Sequence, residues 1–126
     1  MDKNYKLHEA EYRFACIVWE HEPIHSRKLA ERCSDALGWK RTTTYTVLRK
    51  LCERGILRNE SATVTSIIKK SEVQGYESAA IIDRAFDGSL PSFVMAFLKT
   101  KKLSPEEAAE IQAMIDAANA VDGEGL

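Results

Sequence analysis

The sequence predicts a mainly α-helical protein with one small β-hairpin. Up to residue 55, apolar side chains recur at the three- and four-residue spacing of a helix. Residues 56–68 change to short runs rich in β-branched side chains around a polar turn, which is typical of a hairpin. Helical spacing then returns for the rest of the chain. The predicted order is three helices, a hairpin and three further helices.

Composition is consistent with one domain, or with one small domain and an appendage. The chain has 126 residues, of which 44% are hydrophobic and 29% are charged. It has no apolar run near the ~20 residues that a membrane span requires. The first residues do not resemble a signal peptide. We therefore expect a cytoplasmic protein without membrane insertion.

The net charge of −1 conceals a basic middle and an acidic end. Between residues 40 and 58 one acid, Glu53, stands against six basic residues, a local charge of +5: Lys40, Arg41, Arg49, Lys50, Arg54 and Arg58. From Ser104 onward there are six acids and no lysine or arginine. A basic cluster on one element is typical of a surface that binds nucleic acid.

The cysteine and histidine positions favour neither a disulfide framework nor a metal site. Cys16, Cys33 and Cys52 are far apart and form no C-x-x-C pair, which favours reduced, packed thiols. His21 and His25 are four residues apart, but Pro23 breaks the helix that would align them. No nucleophile is paired with a base, and no glycine-rich phosphate loop occurs. We expect no metal, no cofactor and no enzymatic activity.

The first two helices have clear limits. A helix is predicted over residues 8–21, where acids occupy the first turn and Pro23 ends the segment. The second helix is capped by His25 or Ser26 and stopped by Gly38. A short link, residues 21–24, joins the two.

The third helix, which starts after Trp39 and ends at Gly55, has two different faces. One face is predicted to point inward, and it carries Thr44, Val47, Leu48, Leu51 and Cys52. The other is threonine-rich, although β-branched residues are poor helix formers. Hydroxyls flanked by cations suit a DNA major groove, where they can meet phosphates or base edges. The predicted DNA-binding residues are Lys40, Arg41, Thr42, Thr43, Tyr45, Thr46, Arg49, Lys50 and Arg54. The alternative is a solvated face that is threonine-rich by chance.

The hairpin completes a recognisable order of elements. Its predicted strands are residues 56–60 and 63–68, with a turn at Ser61–Ala62. Three helices followed by a hairpin is the order of a winged helix-turn-helix, in which the third helix occupies the major groove. Residues 1–70 are therefore predicted to be a DNA-binding domain.

Residues 71–126 are predicted to be a helical dimerisation domain. One helix, capped by Ser71 with Gln74, runs through Phe86; a second spans 90–101; the last begins at Ser104-Pro105. Three short amphipathic helices cannot form a sizeable core alone, so they pack on the first half or on a second copy. Two-fold association is favoured because it doubles the base contacts. The predicted dimer contacts are Ile81, Ile82, Phe86, Phe93, Val94, Phe97, Leu98, Ile111, Met114 and Ile115.

Nearly the whole chain resembles the penicillinase repressors and their relatives, the BlaI/MecI/CopY group. The resemblance rests on loose motifs whose order and spacing together are specific. They are Leu7-x-x-Ala10-Glu11, Val18-Trp19-Glu20, Trp39, the pattern Thr43/Thr46/Leu48/Leu51/Gly55, residues 83–88 and the Leu103-Ser104 start of the last helix. The resemblance implies a winged-helix homodimer that represses transcription at a palindromic operator. It also implies relief of repression through a membrane sensor-protease that triggers cleavage, or through copper binding in one branch.

The chain departs from the family pattern at several functional positions. The wing-turn Gly-Arg pair corresponds to Thr63 and Val64. In the third helix, Lys40 replaces the family's capping serine and Thr42 replaces the lysine of the first turn. No cysteine follows Cys52, so the resemblance does not extend to copper sensing. The family's Asn-Phe cleavage bond corresponds to Ala96-Phe97, and packing is the alternative role for Phe97. A second hypothesis for the whole chain is a winged-helix module that binds a protein and not DNA.

Overall fold

The structure of the protein is a computed structural model that describes the backbone of residues 5–124 and the side chains of residues 5–120. The elements in chain order are α1 (Glu9–His21), β1 (Ile24–His25), α2 (Ser26–Leu37), α3 (Arg41–Glu53), β2 (Leu57–Glu60), β3 (Thr63–Ser66), α4 (Lys70–Ala85), α5 (Leu90–Thr100) and α6 (Pro105–Glu124). The predicted class, mainly α with a small β element and a winged helix-turn-helix at the N-terminal end, is confirmed.

The predicted helix limits in the first half follow from local backbone chemistry. His25 is the cap of α2, since its Nδ1 accepts a hydrogen bond from Arg27 N at 3.0 Å. Gly38 ends α2 with a φ of 69°, a left-handed conformation that glycine adopts without steric cost. Of the two caps that the sequence allowed for α2, the structure has His25.

The sheet has three strands, so the expectation of a two-stranded hairpin was incomplete. Its order is β1-β3-β2, and all neighbours are antiparallel. β1 pairs Ile24 with Val64 and His25 with Thr63. The sequence predicted no strand here, with Ile24 at the end of a link and His25 at the start of the second helix, because a strand of two residues shows no periodicity.

One core joins the helices and the sheet of the first half. Phe14 of α1, Leu29 of α2, Leu51 of α3 and Val64 of β3 are all fully buried in it. Trp39 stacks on Phe14 with ring centroids 5.7 Å apart, which attaches the α2–α3 turn to α1. The inner face of α3 is therefore fixed against the rest of the fold.

The later helices begin at well-formed caps, one of which differs from the prediction. In α6 the predicted capping box forms, with Glu107 N donating to Ser104 Oγ at 3.0 Å. In α4 the box predicted from Ser71 and Gln74 is wrong. Glu72 Oε2 instead accepts from Lys69 N at 3.1 Å, so the helix starts at Lys70. Only the glutamate half of a capping box forms here, because the lysine at the cap position has no side-chain acceptor.

The chain divides into two compact units. The first extends through Ile81 and the second begins at Ile82, both within α4. The first unit includes the start of α4, because Val73 is fully buried in its core. The predicted domain limit after residue 70 lies at the start of that helix. No described helix combines the length and apolar character of a membrane span.

Candidate nucleic-acid interface

The outward face of α3 carries most of the predicted DNA-binding residues. Thr44, Leu48 and Leu51 are buried on the inner side of this helix. The side chains that the structure leaves exposed on its outer side and at its start are Lys40, Arg41, Thr42, Thr43, Tyr45, Thr46, Arg49 and Lys50. The two faces that periodicity predicted for α3 therefore correspond to the buried and exposed sides of the observed helix.

Two cations of this face, Lys40 and Arg41, line a depression together with Glu31 and Asp35. In the described part of the chain, Lys40, Arg41, Arg49 and Lys50 make no ion pair. Their charges are therefore available to an anionic ligand, and a polyanion that binds them releases its condensed counterions.

Thr46 presents an oxygen acceptor and a methyl group. Its Oγ1 hydroxyl donates to the Thr42 carbonyl at 2.9 Å, one helical turn earlier. Since a hydroxyl has one proton, the lone pairs and the methyl group remain for a ligand. In a major groove these groups match the amino groups of adenine and cytosine or the methyl of thymine.

Thr44 differs from the other threonines of α3, since its side chain is fully buried. Its Oγ1 has no hydrogen-bond partner of adequate geometry among the described residues. The Cys33 thiol, a weak hydrogen-bonding group, interacts with this hydroxyl. Burial raises the pKa of Cys33, and the Thr44 hydroxyl offsets part of that rise. This pair lies beneath α3, away from the outer face.

Arg54, the last predicted DNA contact, is occupied within the protein. Its Nη2 donates to the Lys6 carbonyl at 2.6 Å. Its Nη1 lies 3.6 Å from Glu11 Oε1, and 31% of the side chain is exposed. The structure therefore does not bring Arg54 together with the free cations of α3. It ties the end of α3 to the N-terminal segment and to α1.

The wing has a tight, uncharged tip. Ser61 and Ala62 form the turn with φ of 49° and 68°, as the sequence predicted for its position. Thr63 and Val64, which correspond to the family's Gly-Arg pair, belong to β3, and Val64 is fully buried. Arg58 on β2 is exposed and has Nε 3.5 Å from Glu60 Oε1. The Val64 side chain is therefore not accessible to a ligand that binds at the wing.

Two polar residues that the sequence analysis missed border the outer face of α3. A shallow depression lies where α2, α3 and β2 meet, lined by Ser26, Tyr45, Leu48, Arg49, Cys52 and Asn59. Ser26 lies on α2 and Asn59 on β2, and neither shares a motif with α3, so only the fold identifies them. Burial, followed by the charge of Glu53, raises the pKa of the Cys52 thiol. This shift favours the unreactive thiol form.

The second unit exposes an apolar face. In α5, no residue is buried, and Met95 in α5 and Met114 in α6 are each 63% exposed. An apolar groove on these helices is lined by Leu90, Pro91, Val94, Met95, Leu98, Lys99 and Ile115. Exposed apolar surface of this extent is typical of a protein–protein contact.

The ten predicted dimer residues divide into an exposed set and a half-buried set. Ile81, Val94, Phe97, Leu98, Ile111, Met114 and Ile115 are exposed, whereas Ile82, Phe86 and Phe93 are half-buried. The rings of Phe86 and Phe93 meet edge to face at 5.4 Å. The Ala96–Phe97 bond lies inside α5, in hydrogen-bonded helical backbone.

These features define a class of protein. Three helices and a wing, with an outward helix that carries free cations and hydroxyls, are the architecture of winged helix-turn-helix DNA-binding proteins. The model of the penicillinase repressor family matches residues 7–117, and the chain belongs to that family. Its members are DNA-binding transcriptional repressors and not enzymes.

The similar proteins are matched over nearly their full length. A penicillinase repressor from Bacillus licheniformis is 26% identical over 120 residues, which cover 92% of this chain and 94% of that protein. The methicillin resistance regulatory protein MecI of Staphylococcus aureus is 22% identical over 119 residues, covering 91% and 97%. MecI of Mammaliicoccus sciuri is 21% identical with the same coverage. These matches confirm the family that the sequence motifs indicated.

Proposed function

We propose that the protein is a cytoplasmic, homodimeric repressor that inserts α3 of each protomer into the major groove of a palindromic operator. One observation carries the proposal: the inner face of α3 is held in the core, while its outer face presents cations that make no ion pair with any described residue. A helix fixed in this way presents its side chains in a constant geometry, which base readout requires.

The exposed residues of α3 divide into two roles. Lys40, Arg41, Arg49 and Lys50 attract phosphates and give binding its salt dependence. Thr42, Thr43 and Thr46 meet base edges, with Tyr45 at the backbone. Arg54 acts indirectly, by holding the end of α3 to Glu11 and Lys6.

The C-terminal helices supply the two-fold contact. The apolar face of α5 and α6 is exposed in the single chain and is suited to a second copy. Such a dimer places two recognition helices about 34 Å apart, on half-sites one helical turn apart.

Cleavage within the same apolar face would relieve repression. Cleavage at Ala96–Phe97 by a membrane sensor-protease system would divide α5 between Met95 and Leu98, two residues of the apolar groove. The break would separate α6 from the winged-helix unit. The dimer contact would then be incomplete, and affinity for the paired half-sites would fall.

The first test is a gel shift on operator and random duplexes at two salt concentrations. The operator is obtained by selection from random DNA. Lys50→Ala should weaken binding to every duplex by a similar factor and lower the salt slope by about 1. Lys70→Ala, a charge removal at the start of α4, is the control. Loss of affinity with an unchanged slope would contradict the phosphate role.

The second test concerns base readout by Thr46. Thr46→Val keeps one methyl group and removes the acceptor, and Thr46→Ser does the reverse. One of the two variants should change preference at a single base-pair position, by about 1–3 kcal/mol. A uniform loss across all sequences in both variants would exclude Thr46 from base recognition.

A second candidate function is favoured by the wing. Its tip carries Ser61 and Ala62 and no cation, so the hairpin contributes no charge there to a DNA backbone. A winged-helix module that binds an acidic protein with the α3 face accommodates this feature. Salt-dependent, submicromolar binding to duplex DNA would reject this alternative.

A further inference from the structure

The β3–α4 linker, residues 67–69, has few free backbone groups. Ile67 N and Ile68 N both donate to the Ile56 carbonyl, at 2.8 and 3.1 Å. The Ile68 carbonyl accepts from Trp19 Nε1 at 3.1 Å. Connecting segments usually run over the surface and are more mobile than the elements they join. This linker is instead bonded to two separate parts of the winged-helix unit, and we expect it to be rigid.

A carboxylate at the end of α1 fixes both ends of the linker. Glu22 Oε1 accepts from Ser66 N at 2.7 Å, and Glu22 Oε2 accepts from Ser66 Oγ at 2.8 Å. Lys69 Nζ lies 3.7 Å from Glu22 Oε1 and donates to the Ser66 carbonyl at 3.0 Å. We call Glu22, Ser66 and Lys69 the Glu22 cluster. It connects α1, the end of β3 and the residue before α4.

The Glu22 cluster is partly shielded from water, which favours a fixed arrangement of its hydrogen bonds. The Glu22 side chain is 21% exposed and Ser66 is 7% exposed. Hydrogen bonds to a charged carboxylate are shorter and stronger than neutral ones, and partial burial limits their screening by salt. The exposed Lys69 ammonium contributes less, because water competes for it.

The first half of α4 is fixed to the same body. Val73 is fully buried in the winged-helix core. The Tyr76 ring lies 6.0 Å from that of Tyr5, in a tilted contact. The first half of α4 is therefore held in place relative to α3, which packs in the same core.

We propose that the Glu22 cluster and the Trp19–Ile68 bond are positioning elements that set the half-site spacing of the operator. This inference rests on the proposed function, since it requires a dimer that binds two half-sites. Each additional base pair moves a half-site by about 3.4 Å and rotates it by about 34°. A dimer discriminates between spacings only if each winged-helix unit is held in a fixed orientation by the helix that connects it to the dimer contact. A loose linker lets each unit find its half-site independently.

The experiment compares full-length variants on a panel of duplexes. The panel contains the selected palindrome, versions with one or two base pairs inserted or deleted at its centre, and a single half-site. Glu22→Ala removes the cluster, and Trp19→Phe removes the bond to the Ile68 carbonyl while keeping an aromatic ring. Glu20→Ala is the matched control, because it makes the same chemical change at an exposed position two residues away.

The expected result is a loss of spacing discrimination with preserved half-site binding. Wild type and Glu20→Ala should bind the selected spacing best. In Glu22→Ala, affinity for the single half-site should stay within about twofold. Its preference for the selected spacing over a one-base-pair change should fall by about tenfold, the scale of a charge-assisted hydrogen bond. Trp19→Phe should show a smaller fall of about threefold, as expected for a neutral bond.

Three outcomes separate the possibilities. An equal loss of affinity for the half-site and for every spacing would show that the cluster only stabilises the fold, and would overturn the inference. Equal binding of all spacings by wild type would overturn it too, while leaving dimeric DNA binding intact. No binding of wild type to any duplex would reject the proposed function itself. If circular dichroism shows Glu22→Ala unfolded, the spacing profile of Trp19→Phe decides the result.

Discussion

The winged-helix unit and the C-terminal helices differ in how they bury apolar side chains. In the first, large side chains such as Phe14, Leu29 and Ile56 are fully buried within one chain. In α5 no residue is buried, although Ser89 caps the helix through a bond from Ser92 N at 3.1 Å. Good capping is thus present in both units, while the buried core residues of the described part of the chain all lie in the first. Local signals define a helix, but stability of the whole unit requires apolar contacts.

The largest expected effect is on the free energy of unfolding, and it should differ between the two units. Phe14→Ala should lower the free energy of unfolding by about 3–5 kcal/mol, because it creates a cavity and removes the stack on Trp39. Met95→Ala, measured at a concentration where the protein is monomeric, should cost less than about 1 kcal/mol, because its side chain is largely exposed. Urea unfolding followed by circular dichroism measures both. Equal losses would contradict the division into a self-contained unit and an incomplete one.

The next effect concerns association. Leu98→Asp should weaken dimerisation by about 2–3 kcal/mol or more, since a carboxylate would be placed in an apolar contact. Analytical ultracentrifugation at micromolar concentration should show monomers. Ser92→Asp, on another side of the same helix, is the control and should remain dimeric. A Leu98→Asp protein that is still dimeric would place the dimer contact elsewhere.

The smallest effect distinguishes the two faces of α3. Thr44→Val removes a buried hydroxyl without a good partner and should raise the free energy of unfolding by about 0.5–1 kcal/mol. DNA affinity should not change. Thr43→Val, on the exposed face, should alter DNA affinity and leave stability within about 0.5 kcal/mol. Thermal unfolding and gel shifts on the same preparations test this reversal of roles, which identical behaviour of the two variants would refute.

The sequence predicted those parts of the fold that depend on neighbouring residues. The limits of α2, the capping box of α6 and the turn at Ser61–Ala62 all arise within a few residues. The two faces of α3 were also predictable, because helical periodicity alone separates Thr44 and Leu48 from Thr43 and Thr46.

The parts that the sequence did not predict depend on distant contacts. β1 exists because β3 offers a partner to two residues that have no pattern of their own. The engagement of Arg54 by Lys6 and Glu11 joins residues more than forty positions apart, which charge counting does not detect. The burial of Val64 similarly follows from the side of β3 that faces the helices.

The attachment of Arg54 has a consequence for the kinetics of recognition. Because the end of α3 is tied to α1 and to the N-terminal segment, this helix has little freedom to lose when it meets a duplex. We therefore expect a small entropic penalty for association. Encounter rates should be governed by electrostatic attraction and not by a slow rearrangement of the protein.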